Sequence, residues 1–104
     1  MKVSKCEEVI EIILKNKKEI QELGVEQLHI FGSTARGNSM PDSDIDVLVR
    51  FSETVQNGNY FEAYLQLNRL LENILKNRVD VVTETGIKPR IRPYIEKDMI
   101  LVLA

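Results

Sequence analysis

"HIFGSTARGNSMPDSDIDVLVRF", His29 to Phe51, decides how the chain folds. Polar and apolar residues alternate from Glu26 to Phe31 and stop at Gly32. A second run, Ile45 to Phe51, is apolar and rich in β-branched residues. Both patterns predict strands. Residues 32–43 carry Gly, Ser, Asn and Pro and should form a loop with room for one helical turn. Asp42, Asp44 and Asp46 occupy alternate positions. Strand residues two apart face the same side, so Asp44 and Asp46 project together while Ile45 turns into the core. Side-by-side carboxylates repel each other unless something positive stands between them. A solvated turn accounts for Asp42 but not for Asp46, which lies within the apolar run.

Working outward, the N-terminal segment reads as one helix. Ser4 and Glu7 have capping-box spacing, and Val3, Cys6, Ile10, Ile13, Leu14 and Ile20 fall near one face. Lys15, Lys17, Lys18 and Glu19 read as its solvated side, and Gly24 as the left-handed residue that ends it. On the other flank, "QNGN" at 56–59 reads as a turn. Asn59 and Glu62 again have capping-box spacing. Phe61, Tyr64, Leu65, Asn68, Leu71 and Leu75 then form the expected buried stripe of a long helix. "RVDVVT", Arg78 to Thr83, is a third strand. A short helix from Pro89 to Lys97, disturbed by Pro93, and a final strand from Met99 to Leu103 complete the chain.

The bulk properties narrow the function. One domain, 1–104, accounts for 104 residues, and 43% hydrophobic content suffices for a core. A net charge of −2 argues against a direct grip on nucleic acid. The lone Cys6 permits no internal disulfide and reads as an inert core residue. No apolar run is long enough for a signal h-region or a membrane span, so the expectation is a cytoplasmic protein.

Two familiar motifs fail on their own chemistry. Gly32 to Gly37 opens like a P-loop, but Asn38 and Ser39 stand where Lys and Ser/Thr belong. Without the lysine there is no cation for the outer phosphates. Asp42, Asp44, Asp46 and Glu53 match calcium-loop positions one, three, five and twelve, yet position six is Val47 rather than the turning Gly.

A hard divalent cation explains the aspartate pair better. Magnesium takes one or two carboxylates together with substrate phosphates. Gly32 lets the backbone approach an anion, and the neighbouring amides and the Ser33 hydroxyl can donate to phosphate oxygens. Asp80, between Val79 and Val81, is a further carboxylate in an apolar strand. An antiparallel pair joined by the 32–43 loop, followed by a helical crossover to a parallel third strand, brings Asp80 to Asp44 and Asp46. Three such carboxylates suit two metal ions and in-line phosphoryl displacement. Asp44 and Asp46 would bridge both ions. Asp80 would bind the ion nearer the attacking hydroxyl and help deprotonate it. Gly32 and Ser33 would hold the leaving pyrophosphate. Arg36 either stabilises phosphate charge or braces the loop against an aspartate. His29 either approaches the nucleotide or is a locally bonded strand histidine. Arg90 and Arg92 read as solvated.

The constellation Gly32, Ser33, Ala35, Arg36, Gly37, Ser43, Asp44, Asp46 and Asp80 resembles the minimal nucleotidyltransferases of the DNA polymerase β-like superfamily. The resemblance covers essentially the whole chain, with no departure in the aspartate triad. It implies an α/β (α+β) nucleotidyltransferase fold, a small mixed sheet of three to four strands with flanking helices. It also implies Mg2+, two ions, with ATP or another NTP as donor. Gly32, Ser33, Arg36 and Ser43 carry over as nucleotide-binding residues, and Asp44, Asp46 and Asp80 as catalytic metal ligands. The implied setting is a toxin-antitoxin pair, in which the family member transfers AMP to a tyrosine of a HEPN-domain toxin. Two alternatives stand beside it. One is a binding module that neutralises the toxin by covering it. The other is a transferase acting on a small molecule of aminoglycoside type.

Overall fold

In a computed structural model the described residues are 5–38, 40 and 43–104. The elements run α1 (Cys6–Lys15), α2 (Lys17–Glu22), β1 (Val25–Phe31), α3 (Gly32–Arg36), β2 (Ile45–Phe51), α4 (Glu53–Gln56), α5 (Tyr60–Leu75), β3 (Val79–Thr83), a 3-10 turn (Glu84–Gly86), α6 (Arg92–Glu96) and β4 (Ile100–Leu103). The four strands form one sheet in the order β3-β2-β1-β4. β1 is antiparallel to both neighbours, and β2 runs parallel to β3. The expected mixed sheet with flanking helices is present.

Strand alternation divides the sheet into two unlike faces. Ile45, Val47, Val49 and Phe51 of β2 are buried with Leu28, Ile30, Val79 and Val81 under α1, α2 and α5. The opposite face carries Asp46 and Leu48 of β2, flanked in register by Phe31 and His29 of β1 and by Asp80 and Val82 of β3. Thus one face stabilises the domain through apolar burial, and the other carries the polar chemistry.

Both helix-face expectations need correction. The first helix breaks at Asn16, whose side-chain amide donates to the Ile12 carbonyl (2.8 Å) while its backbone N–H bonds Ile13. The side chain competes for a helical acceptor, and the chain restarts as α2. The buried residues are Val9, Ile13 and Ile20, whereas Leu14 is 48% exposed and Cys6 is only partly covered. Val3 and Ser4, and with Ser4 the proposed capping box, lie outside the described residues. Gly24 does take the left-handed conformation (φ 93°).

In α5 the core stripe is Ala63, Leu67, Leu71 and Leu75, and Phe61 is 69% exposed. The helix is apolar over a wide arc. Contact with the sheet selects the stripe in which small Ala63 permits close approach, a choice periodicity leaves open. Asn59 precedes the helix but forms no side-chain cap, so the second capping box is absent. The turn after β2 begins with a helical turn that sequence reading missed: the Ser52 hydroxyl accepts from the Val55 N–H at 3.4 Å and starts α4. Near the C-terminus α6 begins only at Arg92. Pro93 therefore sits in its first turn, where its missing N–H costs nothing, instead of disturbing its interior.

Candidate functional site

Three residues stand in one row across the sheet. Phe31 pairs with Asp46, and Asp46 pairs with Asp80. Directly paired residues share a face, so the carboxylates of β2 and β3 point to the same side, as the parallel crossover predicts. Asp44 lies two residues before Asp46, just ahead of β2, and is exposed.

Asp46 is the electrostatically loaded member. Its carboxyl pKa is pushed from 3.8 up to about 6, first by burial, then by the charges of Asp80 and Asp44, with Arg36 acting in the opposite sense. Gly32 explains the burial. It is left-handed (φ 72°) and opens α3, and a Cβ added there would overlap Asp46 Oδ2. Glycine here therefore serves both the turn and the close approach of backbone to carboxylate. Ser33 follows, half-buried in the first turn of α3, whose N-cap residue, Phe31, supplies no side-chain cap. Thr34 Oγ1 is buried with no hydrogen-bond partner among the described residues.

The expected ligand residues fit a hard divalent cation in kind, since all are carboxylates and their mutual repulsion is relieved by positive charge. They are not closed around a common point: among the described residues no cluster of three acidic, His or Cys side chains has metal-holding geometry. One reason is visible. Arg78 Nε lies 3.1 Å from Asp44 Oδ1, so a guanidinium already supplies Asp44 with its counter-charge. Asp42 lies outside the described residues.

Other expected site residues have structural partners. The Ser43 hydroxyl accepts from the Met40 N–H at 3.0 Å and shapes the approach to β2. Arg36 Nη1 meets Asp98 Oδ2 at 3.2 Å, tying α3 to the chain ahead of β4, which is the bracing alternative. His29 pairs in the ladder with Leu48 and Leu101, and burial lowers its pKa, leaving the ring neutral at pH 7. If Arg36 only braces, Arg36→Ala and Asp98→Ala should lower stability equally, by less than about 1 kcal/mol for so exposed a pair. Their Michaelis constants for NTP should also match. A larger rise for Arg36→Ala alone, in steady-state assays of both variants, would place the guanidinium on phosphate.

Sequence reasoning missed the residues that align the strand starts. Asn77 Nδ2 donates to the Ser43 carbonyl (3.3 Å), Asn77 Oδ1 accepts from the Arg78 N–H (2.8 Å), and the Ile45 N–H donates to the Arg78 carbonyl (2.9 Å). From α5, Asn68 Nδ2 donates to the Val79 carbonyl and Glu72 Oε2 accepts from the Val79 N–H, both at 3.1 Å. The crossover helix thus holds β3 one residue before Asp80. The sequence offers only an Asn between the long helix and the third strand; that Asn77 is buried and follows a left-handed Lys76 is visible only in the structure.

A family model described as a nucleotidyltransferase domain matches residues 7–102. The chain is similar to Protein adenylyltransferase MntA of Thermococcus cleftensis, with 34% identity over 97 residues, 92% of this chain and 94% of that protein. It is also similar to a solved structure provisionally described as a minimal nucleotidyltransferase. There the identity is 33% and the TM-score 0.70, covering 88% of this chain and 93% of that one. A more distant likeness, at 20% identity and a TM-score of 0.56, is to a chain in the complex of tri-AMPylated Shewanella oneidensis HEPN toxin with MNT antitoxin. It covers 88% of this chain and 71% of that one, and bears on the fold.

Proposed function

This chain belongs to the nucleotidyltransferase domain family, and on that premise we propose that it transfers AMP from ATP to a tyrosine hydroxyl of a HEPN-type toxin and so acts as the toxin's antitoxin. The observation that carries the proposal is the row Phe31–Asp46–Asp80, with Gly32 pressed against Asp46. It sets two carboxylates beside a loop whose backbone can approach an anion. The name of the Thermococcus relative supports protein as acceptor. The HEPN complex among the fold's neighbours supports the kind of partner.

Asp44, Asp46 and Asp80 would hold Mg2+, with Arg78 released from Asp44. When bound, the ions would neutralise the crowded carboxylates and the charge that develops on the transferring phosphoryl group. The chain's own residues orient the exchange. Gly32 and Ser33 hold the outer phosphates, so the pyrophosphate leaves on the β1 side. The attacking oxygen enters in line from the β3 side. A bond forms between the tyrosine oxygen and the α-phosphorus as the bond to the bridging oxygen breaks, and the phenolic proton passes to Asp80 and then to water.

A second function is favoured by the Arg78–Asp44 ion pair, which satisfies Asp44 without metal. In that case the protein neutralises its toxin by complex formation alone. The double variant Asp44→Asn/Asp46→Asn separates the two. We expect it to lose at least about a thousandfold of AMP transfer to the toxin, read by mass spectrometry with labelled ATP, and to lose neutralisation with it. Undiminished neutralisation by the double variant would assign the effect to binding.

A further inference from the structure

A cleft of about 320 Å³ opens on the carboxylate-bearing face. Its floor is Phe31, Asp80 and Val82, the residues that surround Asp46 and Leu48 in the sheet register. Its other wall comes from the chain between β3 and α6, chiefly Ile87 and Ile91, with exposed Lys88 beside them. Nothing in the exchange described above uses these apolar residues. Ile91 is 42% exposed and stands at the open side of the cleft.

We propose that this cleft receives the acceptor's phenol ring, and that Phe31, Val82, Ile87 and Ile91 set a preference for an aromatic acceptor. The proposal rests on the transfer reaction above and adds a site to it. Three observations favour a phenol over the nucleobase. The walls are apolar side chains, which suit a ring with one polar substituent better than a purine with several ring nitrogens in need of partners. Among the described residues Asp80 is the only carboxylate lining the cleft, so a ring seated there presents its hydroxyl to the group assigned to take its proton. The Asp80 end of the cleft also lies on β3, across β2 from the Gly32 end of β1, so a hydroxyl held there enters opposite the leaving group, as in-line displacement requires. Lys88 adds a positive charge that favours the phenolate as it forms. Tyr94, 78% exposed and three residues after Ile91, offers further surface to a protein that presents the tyrosine.

The test separates binding from catalysis. N-acetyl-tyrosinamide and, separately, adenosine are titrated into the 15N-labelled chain while amide shifts are followed. The phenol should move the amides of Phe31, Val82, Ile87 and Ile91 saturably in the millimolar range, and adenosine should leave them in place. Ile91→Asp should weaken the phenol at least fivefold; Ile91→Ala replaces it if the Asp variant loses the native spectrum. Adenosine shifting these amides would make the cleft the base pocket, and no shift with the phenol would also overturn the assignment. Whether the wild-type chain with ATP and Mg2+ labels any hydroxyl is measured independently. Failure there sinks the transfer reaction, whereas failure of the titration sinks only the cleft assignment.

Discussion

Asp46→Asn is expected to abolish AMP transfer and, in the same molecule, to make the metal-free fold more stable. The catalytic loss should reach about a thousandfold, near 4 kcal/mol, because the central carboxylate is no longer there to hold divalent charge against the transferring phosphoryl group. The gain in stability follows from the raised carboxyl. The Asp46 pKa of about 6 against an ordinary 3.8 means that the folded chain holds the proton more tightly than the unfolded chain does. Below pH 3.8 both states are protonated and the group contributes nothing. As pH rises from 3.8 to about 6 the folded state loses stability, and above 6 the penalty is constant. At face value the shift is worth about 3 kcal/mol, but Asp46 is only partly buried, and solvent screening reduces it to about 1 kcal/mol. Thermal melts in a chelator should therefore show the variant above wild type at pH 7.5, with the gap closing toward pH 4. Adding Mg2+ should raise the wild-type midpoint and leave the variant's nearly unmoved. Parallel pH profiles for the two proteins would mean that Asp46 carries no such strain.

Gly32→Ala should be the most damaging change that touches no charged group. The residue is left-handed, which costs a side chain about 1–2 kcal/mol, and the new Cβ would stand 3.2 Å from Asp46 Cγ and overlap Oδ2. Asp46 can yield only by rotating its carboxylate out of the row with Asp80. Stability should fall by about 1–2 kcal/mol, and transfer by at least about a hundredfold. Gly37→Ala is the matched control. Gly37 is also left-handed (φ 78°), but among the described residues nothing lies within 4 Å of an added Cβ. Its variant should carry the backbone cost alone and keep most of its activity. Equal activity losses in the two, measured with the same acceptor, would show that the turn matters and the contact with Asp46 does not.

The site was legible to different depths. The register that brings Asp80 to Asp46 followed from strand patterns, a long crossover helix and the polarity of Asp80's surroundings, all local signals. The partners that hold the site in place did not. Asn77 reaches Ser43 across 34 residues of chain, and Arg36 reaches Asp98 across 62. A hydrogen bond over such a separation leaves no spacing pattern in the sequence. Arg78 is the sharpest case: it borders the third strand in the sequence, yet only the parallel pairing of β2 and β3 sets it against Asp44.

Sequence by itself determined the four strands and the two long helical segments, the left-handed turn at Gly24, the β1–β2 and β2–β3 pairings and the three acidic positions. Backbone conformation and side-chain alternation are decided within a few residues. Tertiary structure alone chose which stripes of α1 and α5 enter the core and that an apolar cleft lies beside Asp80. Each of these depends on what an element packs against. A helix apolar over a broad arc can bury more than one stripe, and the sheet selects the stripe that lets the two approach most closely.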